Sequence, residues 1–351
     1  MNLKPDPRDR NIFPGATLLA CLFLLATASA HADLRHIGSE QTLGALKSEL
    51  LRFGELSEGV MGVSLIHLET RTRLNVHGDE RFPMASTYKI PTAVTLLHQV
   101  DEGQRALTEL VEVRQADLVL SQGVSAHFRH PGIKLSLRNL LEPMLIVSDN
   151  TATDVLMREV GGPATINQTL NRLGVTGIQV NRNTNMLIRD YLGMAAPAPG
   201  EARSLLEDYE AMSAEERAGL ETYRSDTFAD DPRDTATPNG MAELLEVVWT
   251  NDILAEQSSA IIRDIMLRCE TGQDRLRGML PEGTPVAHKT GTLGGTSNDV
   301  GVIALPHGKG HLVIAVFIKK SATDDYGIRD RAIAEAARSA YDYFVFNVVS
   351  P

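Results

Sequence analysis

Apolar residues change their spacing along this chain, and the changes mark successive regions. Leu43–Phe53 has apolar residues three and four positions apart, which predicts a first helix. Apolar and polar residues alternate in Val60–His67 and again in Thr72–His77, a pattern typical of a β-hairpin. From Ser86 to about Trp249 the spacing is mostly helical. The first part of the chain therefore predicts a helix and two strands, followed by a helical region.

The final part of the chain returns to strands. Three short segments rich in β-branched residues are separated by glycine-containing turns: Thr284–Thr292, Ser297–Leu305 and His311–Ile318. An amphipathic helix is expected from about Arg329 to Phe344. Because strands at both ends flank a helical middle, we expect the two ends to build one antiparallel sheet, with the helical region as a second lobe. The predicted fold class is α/β, of the α+β kind.

The first 32 residues have the pattern of an export signal. Lys4, Arg8 and Arg10 give a positive start, Ala16–Ala28 is apolar, and small residues suitable for cleavage follow. We therefore predict a signal peptide over residues 1–32 and a periplasmic or secreted mature protein. An uncleaved anchor is the alternative, although the apolar segment is short for a membrane span.

Charge and cysteine content narrow the possible partners. The net charge is −11 and the isoelectric point is near 5.4, which argues against nucleic acid and against an anionic membrane surface as partners. Signal cleavage would remove Cys21 and leave Cys269 alone, so we expect no internal disulfide. A lipoprotein attached through Cys21 is a less favoured alternative. One cysteine and scattered histidines give no plausible set of metal ligands. We expect a monomer with no metal and no organic cofactor.

Three short polar motifs stand out: Ser86-Thr87-Tyr88-Lys89, Ser148-Asp149-Asn150 and Lys289-Thr290-Gly291-Thr292. They resemble the S-x-x-K, S-D-N and K-T-G motifs of class A β-lactamases and penicillin-binding proteins, and they occur in that order. Each motif alone is common by chance, whereas all three in order and in matching context are not. The resemblance covers about residues 43–344. It implies a five-stranded antiparallel sheet with flanking terminal helices, an all-helical subdomain, and an active site between them.

The same resemblance implies the domain organisation. Residues 33–351 would form one catalytic domain. Its α/β lobe is expected from about 40–82 and 235–351, and its helical lobe from about 83–234. An acidic, helix-prone insertion is expected near 190–229, where the chain departs from the family pattern.

The resemblance assigns catalytic roles to three residues of the motifs. Ser86 would be the nucleophile. Lys89 would be its base, because a serine hydroxyl is too weak to attack a carbonyl unaided and residues three apart on a helix share a face. Ser148 would pass a proton to the leaving nitrogen.

Other residues of the motifs would bind substrate. The residues that the resemblance assigns to binding are Asn150, Lys289, Thr290, Gly291, Thr292 and Arg329. Asn150 would hold the side-chain amide of the substrate, and Lys289 its carboxylate, with Arg329 as a partner. The backbone amides of Ser86 and Thr292 would form the oxyanion hole.

One loop departs from the family. Class A enzymes hydrolyse the acyl-enzyme with the glutamate of an E-x-x-L-N motif, and in the aligned segment Arg182–Ile188 that position is Thr184. Asp154 stands where the family has an asparagine that supports the loop carboxylate. Either Asp154 activates the deacylating water, or an insertion carboxylate such as Asp190 or Glu201 does so, or deacylation is slow.

These patterns favour an exported serine β-lactamase that hydrolyses the β-lactam amide through an acyl-enzyme on Ser86 and confers antibiotic resistance. A D,D-peptidase, a penicillin-binding protein or an esterase of the same fold is the alternative, with a peptidoglycan-like substrate for the first two. A β-lactam sensor that stays acylated is a third hypothesis. The missing glutamate is the main support for both alternatives.

Overall fold

The computed structural model describes most of the chain that follows the predicted signal. The described ranges are 34–121, 123–130, 132–198, 203–221 and 225–349. The predicted signal peptide over residues 1–32 and the insertion residue Glu201 lie outside them.

Helices and strands follow one another within these ranges in an order close to the predicted one. The strands are β1 (Arg35–His36), β2 (Val60–His67), β3 (Arg73–Val76), β4 (Phe82–Pro83), β5 (Leu110–Glu112), β6 (Lys134–Ser136), β7 (Ile178–Gln179), β8 (Thr235–Ala236), β9 (Val286–Leu293), β10 (Thr296–Ala304), β11 (His311–Lys319) and β12 (Val348–Val349). The α-helices are α1 (Glu40–Leu56), α2 (Lys89–Asp101), α3 (Val124–His127), α4 (Leu137–Ile146), α5 (Asn150–Glu159), α6 (Gly162–Arg172), α7 (Thr184–Leu192), α8 (Leu205–Ala211), α9 (Ala214–Glu221), α10 (Asp226–Ala229), α11 (Pro238–Trp249), α12 (Glu256–Leu267) and α13 (Tyr326–Asn347). Two 3₁₀ turns are η1 (Ala85–Tyr88) and η2 (Gln115–Asp117).

A five-stranded antiparallel sheet joins the two ends of the chain, as predicted. Its spatial order is β3-β2-β11-β10-β9, and each neighbouring pair is antiparallel. The early hairpin therefore pairs with β11, which is the last of this sheet's strands in sequence, and β9 is an edge strand. The K-T-G segment lies on that edge strand. The outer side of its backbone is therefore not paired with another strand of this sheet.

Two apolar cores lie on opposite faces of the sheet. Side chains alternate between faces along a strand, so Ile314 and Val316 of β11 pack with α1 and α13. Ala315 and Phe317 of the same strand belong to the larger core, which includes α2, α4, α5 and α11. The sheet thus has terminal helices on one face and the helical region on the other.

Several short strand pairs were not expected from the sequence. β5 pairs with β6, and β8 lies between β4 and β7. Each of these strands has only two or three residues, too few for apolar alternation to appear. Tertiary contacts, rather than local pattern, therefore decide where they form.

The described part of the predicted insertion contains short helices. α8, α9 and α10 lie between the end of α7 at Leu192 and the start of β8 at Thr235. Ser204 caps α8, and its hydroxyl and the Glu207 side chain bond each other's backbone amides. In the described part of the chain, no helix combines the length and the apolar character that a membrane span needs.

Candidate active site

The proposed nucleophile lies in a sharp turn. Ser86 is in η1, which runs directly into α2. Ala85, the residue before it, has a φ of 44°, a left-handed conformation that costs a non-glycine residue about 1–3 kcal/mol. The Asn298 side chain holds this turn from β10, donating to Pro83 O at 2.8 Å and to Met84 O at 3.0 Å. The strained turn is therefore fixed from outside by the sheet.

Gly291 lets the edge strand approach this turn. A Cβ at Gly291 would lie 2.5 Å from Met84 O and 3.1 Å from Ser86 N. Any other residue would push β9 away from the nucleophile, so the glycine of the K-T-G motif is needed for this close approach.

Lys89 is completely buried among acceptors from the S-D-N motif. Its Nζ donates to Ser148 O at 2.7 Å, to Asn150 Oδ1 at 2.8 Å and to Ser148 Oγ at 3.1 Å. Burial and then the nearby Lys289 charge hold the pKa of Lys89 well below its usual value. A lysine with a lowered pKa reaches its neutral, basic form near neutral pH more readily. Among the described residues Ser86 Oγ has no hydrogen-bond partner; catalytic contacts of this kind often tighten only when substrate binds.

Ser148 connects the two lysines of the motifs. It has a φ of 59°, and its Oγ accepts from Lys89 Nζ at 3.1 Å and from Lys289 Nζ at 2.9 Å. A hydroxyl has two acceptor sites and one donor. Both acceptor sites are filled, so the Ser148 proton is left for a third group.

Lys289 and Thr290 are buried beside Ser148. Burial lowers the pKa of Lys289 to about 8, with Cys269 and Asp299 opposing the shift. Lys289 Nζ also donates to Thr290 O at 2.8 Å. The Thr290 hydroxyl is 2.6 Å from that of Thr271. Thr290 therefore contributes to the scaffold of the strand.

Asp149 and Asn150 anchor the S-D-N turn. The Asp149 carboxylate accepts from Ala152 N and Val124 N, each at 2.6 Å, and so caps α5. Asn150 Nδ2 donates to Leu120 O at 3.0 Å. These contacts fix Ser148 and Asn150 opposite Lys89.

Asp154 lies one turn further along α5, at the N-terminus of α7. Its oxygens accept from Thr184 N at 2.6 Å and from Asn185 N at 2.9 Å. Tyr88 OH is hydrogen-bonded to the Thr184 hydroxyl. Burial raises the pKa of Asp154 to about 6, although the bonds from Thr184 and Asn185 oppose the rise. Where the family has the loop glutamate, this chain has a closed network of Tyr88, Thr184 and Asp154.

Asp190, an alternative base considered from the sequence, lies in an ion-pair cluster. Its carboxylate is 2.7 Å from Arg182 Nη1 and 3.1 Å from Arg233 Nη1. Arg182 Nε also donates to Asp234 at 2.6 Å. These ion pairs join Arg182 and Asp190, which precede the insertion, to Arg233 and Asp234, which follow it. They stabilise the base of the insertion.

Arg275, which the sequence reasoning missed, contacts the K-T-G segment directly. Its Nη2 donates to Thr292 Oγ1 at 2.8 Å, and its Nε pairs with Asp330 at 2.7 Å. Arg329 is buried, bonds Gly294 O and stacks on the Tyr326 ring at 4.3 Å. Asp330 in the first turn of α13 thus holds Arg275 against the K-T-G segment, and the binding role of Arg329 stays a prediction.

A buried cysteine, histidine and aspartate lie behind Lys289. His288 Nδ1 is 2.9 Å from both oxygens of Asp299. Burial alone would lower the pKa of His288, but the Asp299 carboxylate raises it to about 9. Burial would raise the pKa of Cys269, but the neighbouring His288 lowers it to about 7. The polar start of β10, Ser297-Asn298-Asp299, was the visible signal for this cluster, since a buried strand is usually apolar.

Comparison of this chain with known proteins agrees with the motifs, the edge-strand glycine and the sheet order. A profile of the beta-lactamase enzyme family matches residues 45–344. The chain belongs to that family. It is 30% identical to the extended-spectrum beta-lactamase PER-1 of Pseudomonas aeruginosa over 294 residues, covering 82% of this chain and 83% of that protein. It is 25% identical to beta-lactamase VEB-1 of Pseudomonas aeruginosa over 335 residues, covering 93% and 96%.

Solved structures give the same result for the fold. The TLA-1 extended-spectrum beta-lactamase aligns with a TM-score of 0.70 at 26% identity, covering 86% of this chain and 99% of that one. An ancestral class A beta-lactamase aligns with a TM-score of 0.69 at 30% identity, covering 85% and 99%. The class A β-lactamase family and its mixed fold, predicted from three motifs, are therefore confirmed.

Proposed function

We propose that this class A family member is a serine hydrolase that opens β-lactam rings through an acyl-enzyme on Ser86. The observation that carries the proposal is the hydroxyl of Ser148, which accepts from both Lys89 and Lys289. That single atom links the three motifs into one proton-transfer cluster beside the strained turn of Ser86.

Acylation follows from this cluster. Neutral Lys89 takes the Ser86 proton, and the serine oxygen attacks the carbonyl carbon of the β-lactam. The amides of Ser86 and Thr292 would stabilise the oxyanion. When the carbon–nitrogen bond breaks, Ser148 donates its proton to the ring nitrogen and is reprotonated by Lys89. Lys289 and Arg275 supply positive charge for the substrate carboxylate.

Deacylation requires a base for water, and here the site favours a slower reaction. Thr184 has no carboxylate, and both oxygens of Asp154 already accept amide protons. A carboxylate has about four acceptor sites, so one remains for a proton from water, and Asp154 is the base we propose. The closed network of Tyr88, Thr184 and Asp154 also favours a second candidate, a penicillin-binding protein that releases its acyl group slowly.

Intact-protein mass spectrometry after mixing with benzylpenicillin separates these candidates. An adduct that forms and decays within seconds supports a β-lactamase. An adduct that lasts for minutes or longer supports the penicillin-binding protein, and no adduct contradicts both. Ser86→Ala is the control that identifies the labelled residue.

We also propose export through residues 1–32, a monomeric mature protein, and a role in antibiotic resistance. Terminal sequencing of the periplasmic protein and its elution volume on gel filtration test the first two. Growth of an expressing, β-lactam-sensitive strain on penicillin tests the third; growth no better than that of the Ser86→Ala strain would contradict it.

A further inference from the structure

The buried residues Cys269, His288 and Asp299 take no part in the proposed acylation. Cys269 is the one cysteine in the described part of the chain, and its thiol is free. It is 2% exposed, and His288 and Asp299 are fully buried. We call these three residues the thiol cluster.

One nitrogen of the His288 ring is bound and the other is not. Nδ1 lies 2.9 Å from both oxygens of Asp299, which fixes the ring. Nε2 is buried and has no hydrogen-bond partner among the residues that the structure describes, a costly state for a polar atom. Cys269 is the other ionisable neighbour of the ring. Because Asp299 occupies Nδ1, the nitrogen available to the sulfur is Nε2.

This arrangement is typical of an activated thiol. The reactive form of a cysteine is the thiolate, and an adjacent imidazolium stabilises it. A carboxylate on the far side of the imidazole in turn favours the imidazolium. Burial would raise the pKa of Cys269, but His288 lowers it to about 7. At neutral pH a large fraction of Cys269 is therefore a thiolate beside a protonated His288.

Cys269 lies close to the surface, in a segment without helix or strand. The segment follows α12, which ends at Leu267, and Arg268 and Glu270 on either side of Cys269 are exposed. Segments of this kind open locally at a lower free energy than helices and strands of the core. Hydrogen peroxide is small and uncharged, so a brief opening admits it and largely excludes a bulky reagent.

The Cys269 sulfur also contacts the support of the K-T-G strand. Its Sγ is 3.3 Å from Thr271 Oγ1, which is 2.6 Å from Thr290 Oγ1. Lys289, the neighbour of Thr290 in β9, donates to Ser148 Oγ. Interiors are close-packed, so an oxygen added to the sulfur must displace a neighbouring group. Displacement of Thr271 would disturb Thr290 and Lys289.

We propose that Cys269 is a site of oxidation by hydrogen peroxide, activated by His288 and Asp299, and that its oxidation slows acylation of Ser86. His288 takes the thiol proton at Nε2, and the thiolate sulfur attacks a peroxide oxygen. The S–O bond forms and the O–O bond breaks, and the departing hydroxide takes the proton from His288 and leaves as water. The sulfur loses an electron pair to the peroxide and becomes a sulfenic acid. The oxidation is independent of the proposed function, and only the loss of acylation rests on it.

Dimedone, which reacts with sulfenic acids, measures the oxidation. The protein is exposed to hydrogen peroxide and dimedone at pH 7, and peptide mapping by mass spectrometry follows labelling of Cys269. The reference is an ordinary exposed thiol in the same chain, Ser48→Cys in the Cys269→Ser background. Cys269 should be labelled at least as fast as this reference, because about half of it is thiolate at pH 7 and only a few per cent of the reference is. Slower labelling of Cys269 than of the reference would overturn the proposal.

His288→Gln tests the activation directly. Labelling of Cys269 should slow by about tenfold, because the amide carries no charge to stabilise the thiolate. An unchanged rate in the folded variant would overturn the role of His288. If the variant does not fold, the comparison with the exposed reference still decides, since it leaves the thiol cluster intact.

A bulky reagent separates activation from simple exposure. With dithionitrobenzoate, an aromatic disulfide, the order should reverse, and the exposed reference should react about tenfold faster than Cys269. If Cys269 also reacts faster than the reference with this reagent, it is simply an exposed thiol and the proposal fails.

The link to the K-T-G strand is tested by acylation with benzylpenicillin after peroxide treatment. The rate should fall at least fivefold in wild type and stay constant in Cys269→Ser, which also controls for oxidation of methionines. An equal loss in both would overturn the link. If neither untreated protein is acylated, the proposed function fails, while the dimedone comparison is unaffected. Amide hydrogen exchange of β9 then tests the link; it should become faster on oxidation of wild type and not of Cys269→Ser, and equal exchange would contradict it.

Discussion

Two parts of the site differ in how closely their residues match the family pattern: the cluster proposed to acylate, and the loop network of Tyr88, Thr184 and Asp154. The acylation cluster, which is Ser86, Lys89, Ser148 and Lys289, keeps the residue types of the motifs, and both lysines donate hydrogen bonds to Ser148 Oγ. The loop network has Thr184 in place of a glutamate, and its carboxylate is Asp154 on a neighbouring helix. The acylation step of the proposed reaction therefore has all of its motif residues, whereas the proposed deacylation step depends on a loop that lacks the family's glutamate.

Removing the nucleophile has the largest expected effect on this comparison. Ser86→Ala should abolish covalent labelling by benzylpenicillin while the melting temperature changes little, because only the attacking oxygen is lost. Intact-protein mass spectrometry measures the labelling. The matched control is Ser48→Ala on the exposed face of α1, which should label fully. Full labelling of Ser86→Ala would show that another residue is the nucleophile.

Removing the base should be the next largest effect. Lys89→Met keeps most of the buried stem but cannot accept a proton, so acylation should slow by about 1,000-fold. Stopped-flow measurement of β-lactam ring opening follows the rate, and Lys47→Met on the exposed face of α1 is the control. A wild-type rate in Lys89→Met would show that another group activates Ser86.

Asp154→Asn tests the loop network alone. The amide cannot accept a proton from water, so we expect decay of the acyl-enzyme to slow by about 100-fold, with a much smaller change in acylation. Wild-type decay should rise with pH and level off above about pH 6, following the raised pKa of Asp154. Quenched-flow mass spectrometry between pH 4 and 8 measures both steps. Asp264→Asn, at an exposed site of α12, is the control. Unchanged decay in Asp154→Asn would leave Asp154 with a purely structural task.

The pH dependence of stability tests the raised pKa of Asp154 without any substrate. Its pKa is about 6 in the folded protein and about 3.9 in the unfolded chain, so between these values the folded state binds more protons. The free energy of unfolding should therefore fall as pH rises from about 4 to about 6 through this group. Urea unfolding should show this fall in wild type and not in Asp154→Asn. The same fall in both proteins would contradict the raised pKa.

Thr184→Glu sharpens the same test. In wild type the new carboxylate would face Asp154, and one of the pair would be held protonated, so decay should gain little. In the Asp154→Asn background it should gain more. An equal gain in both backgrounds would show that the two positions do not interact.

Removing Arg275, which we propose to attract the substrate carboxylate, should have the smallest effect on acylation. Arg275→Ala should slow acylation by carboxylate-bearing penicillins about tenfold, since a hydrogen bond to a charged group contributes about 1.5–3 kcal/mol. Penicillin methyl esters should change less, because they lack the charge. Rates for both substrate types are compared with those of Arg329→Ala. A larger loss of charge preference in Arg329→Ala would favour the original assignment of Arg329.

Local pattern was enough for the sheet and for the three motifs. Strands β2, β9, β10 and β11 have eight or nine residues, which is long enough for their apolar character to appear. β4, β7 and β8 have two residues each and depend on partners distant in the chain. Arg275 was missed for a similar reason, because its contacts are with Thr292 and with Asp330 of α13.

The sequence by itself determined the family, the order of the long strands and the two terminal helices, and the absence of a glutamate at position 184. These are properties of residue type and spacing. The tertiary structure decided the electrostatics of the site. Lys89 has a lowered pKa because folding removes its ammonium from water and places the Lys289 charge nearby, although the two residues are far apart in the chain. Folding likewise buries Asp154 and brings the backbone amides of Thr184 and Asn185, at the start of α7, to its carboxylate. Burial and charge act through space, so only the folded chain fixes the proton affinities of these groups.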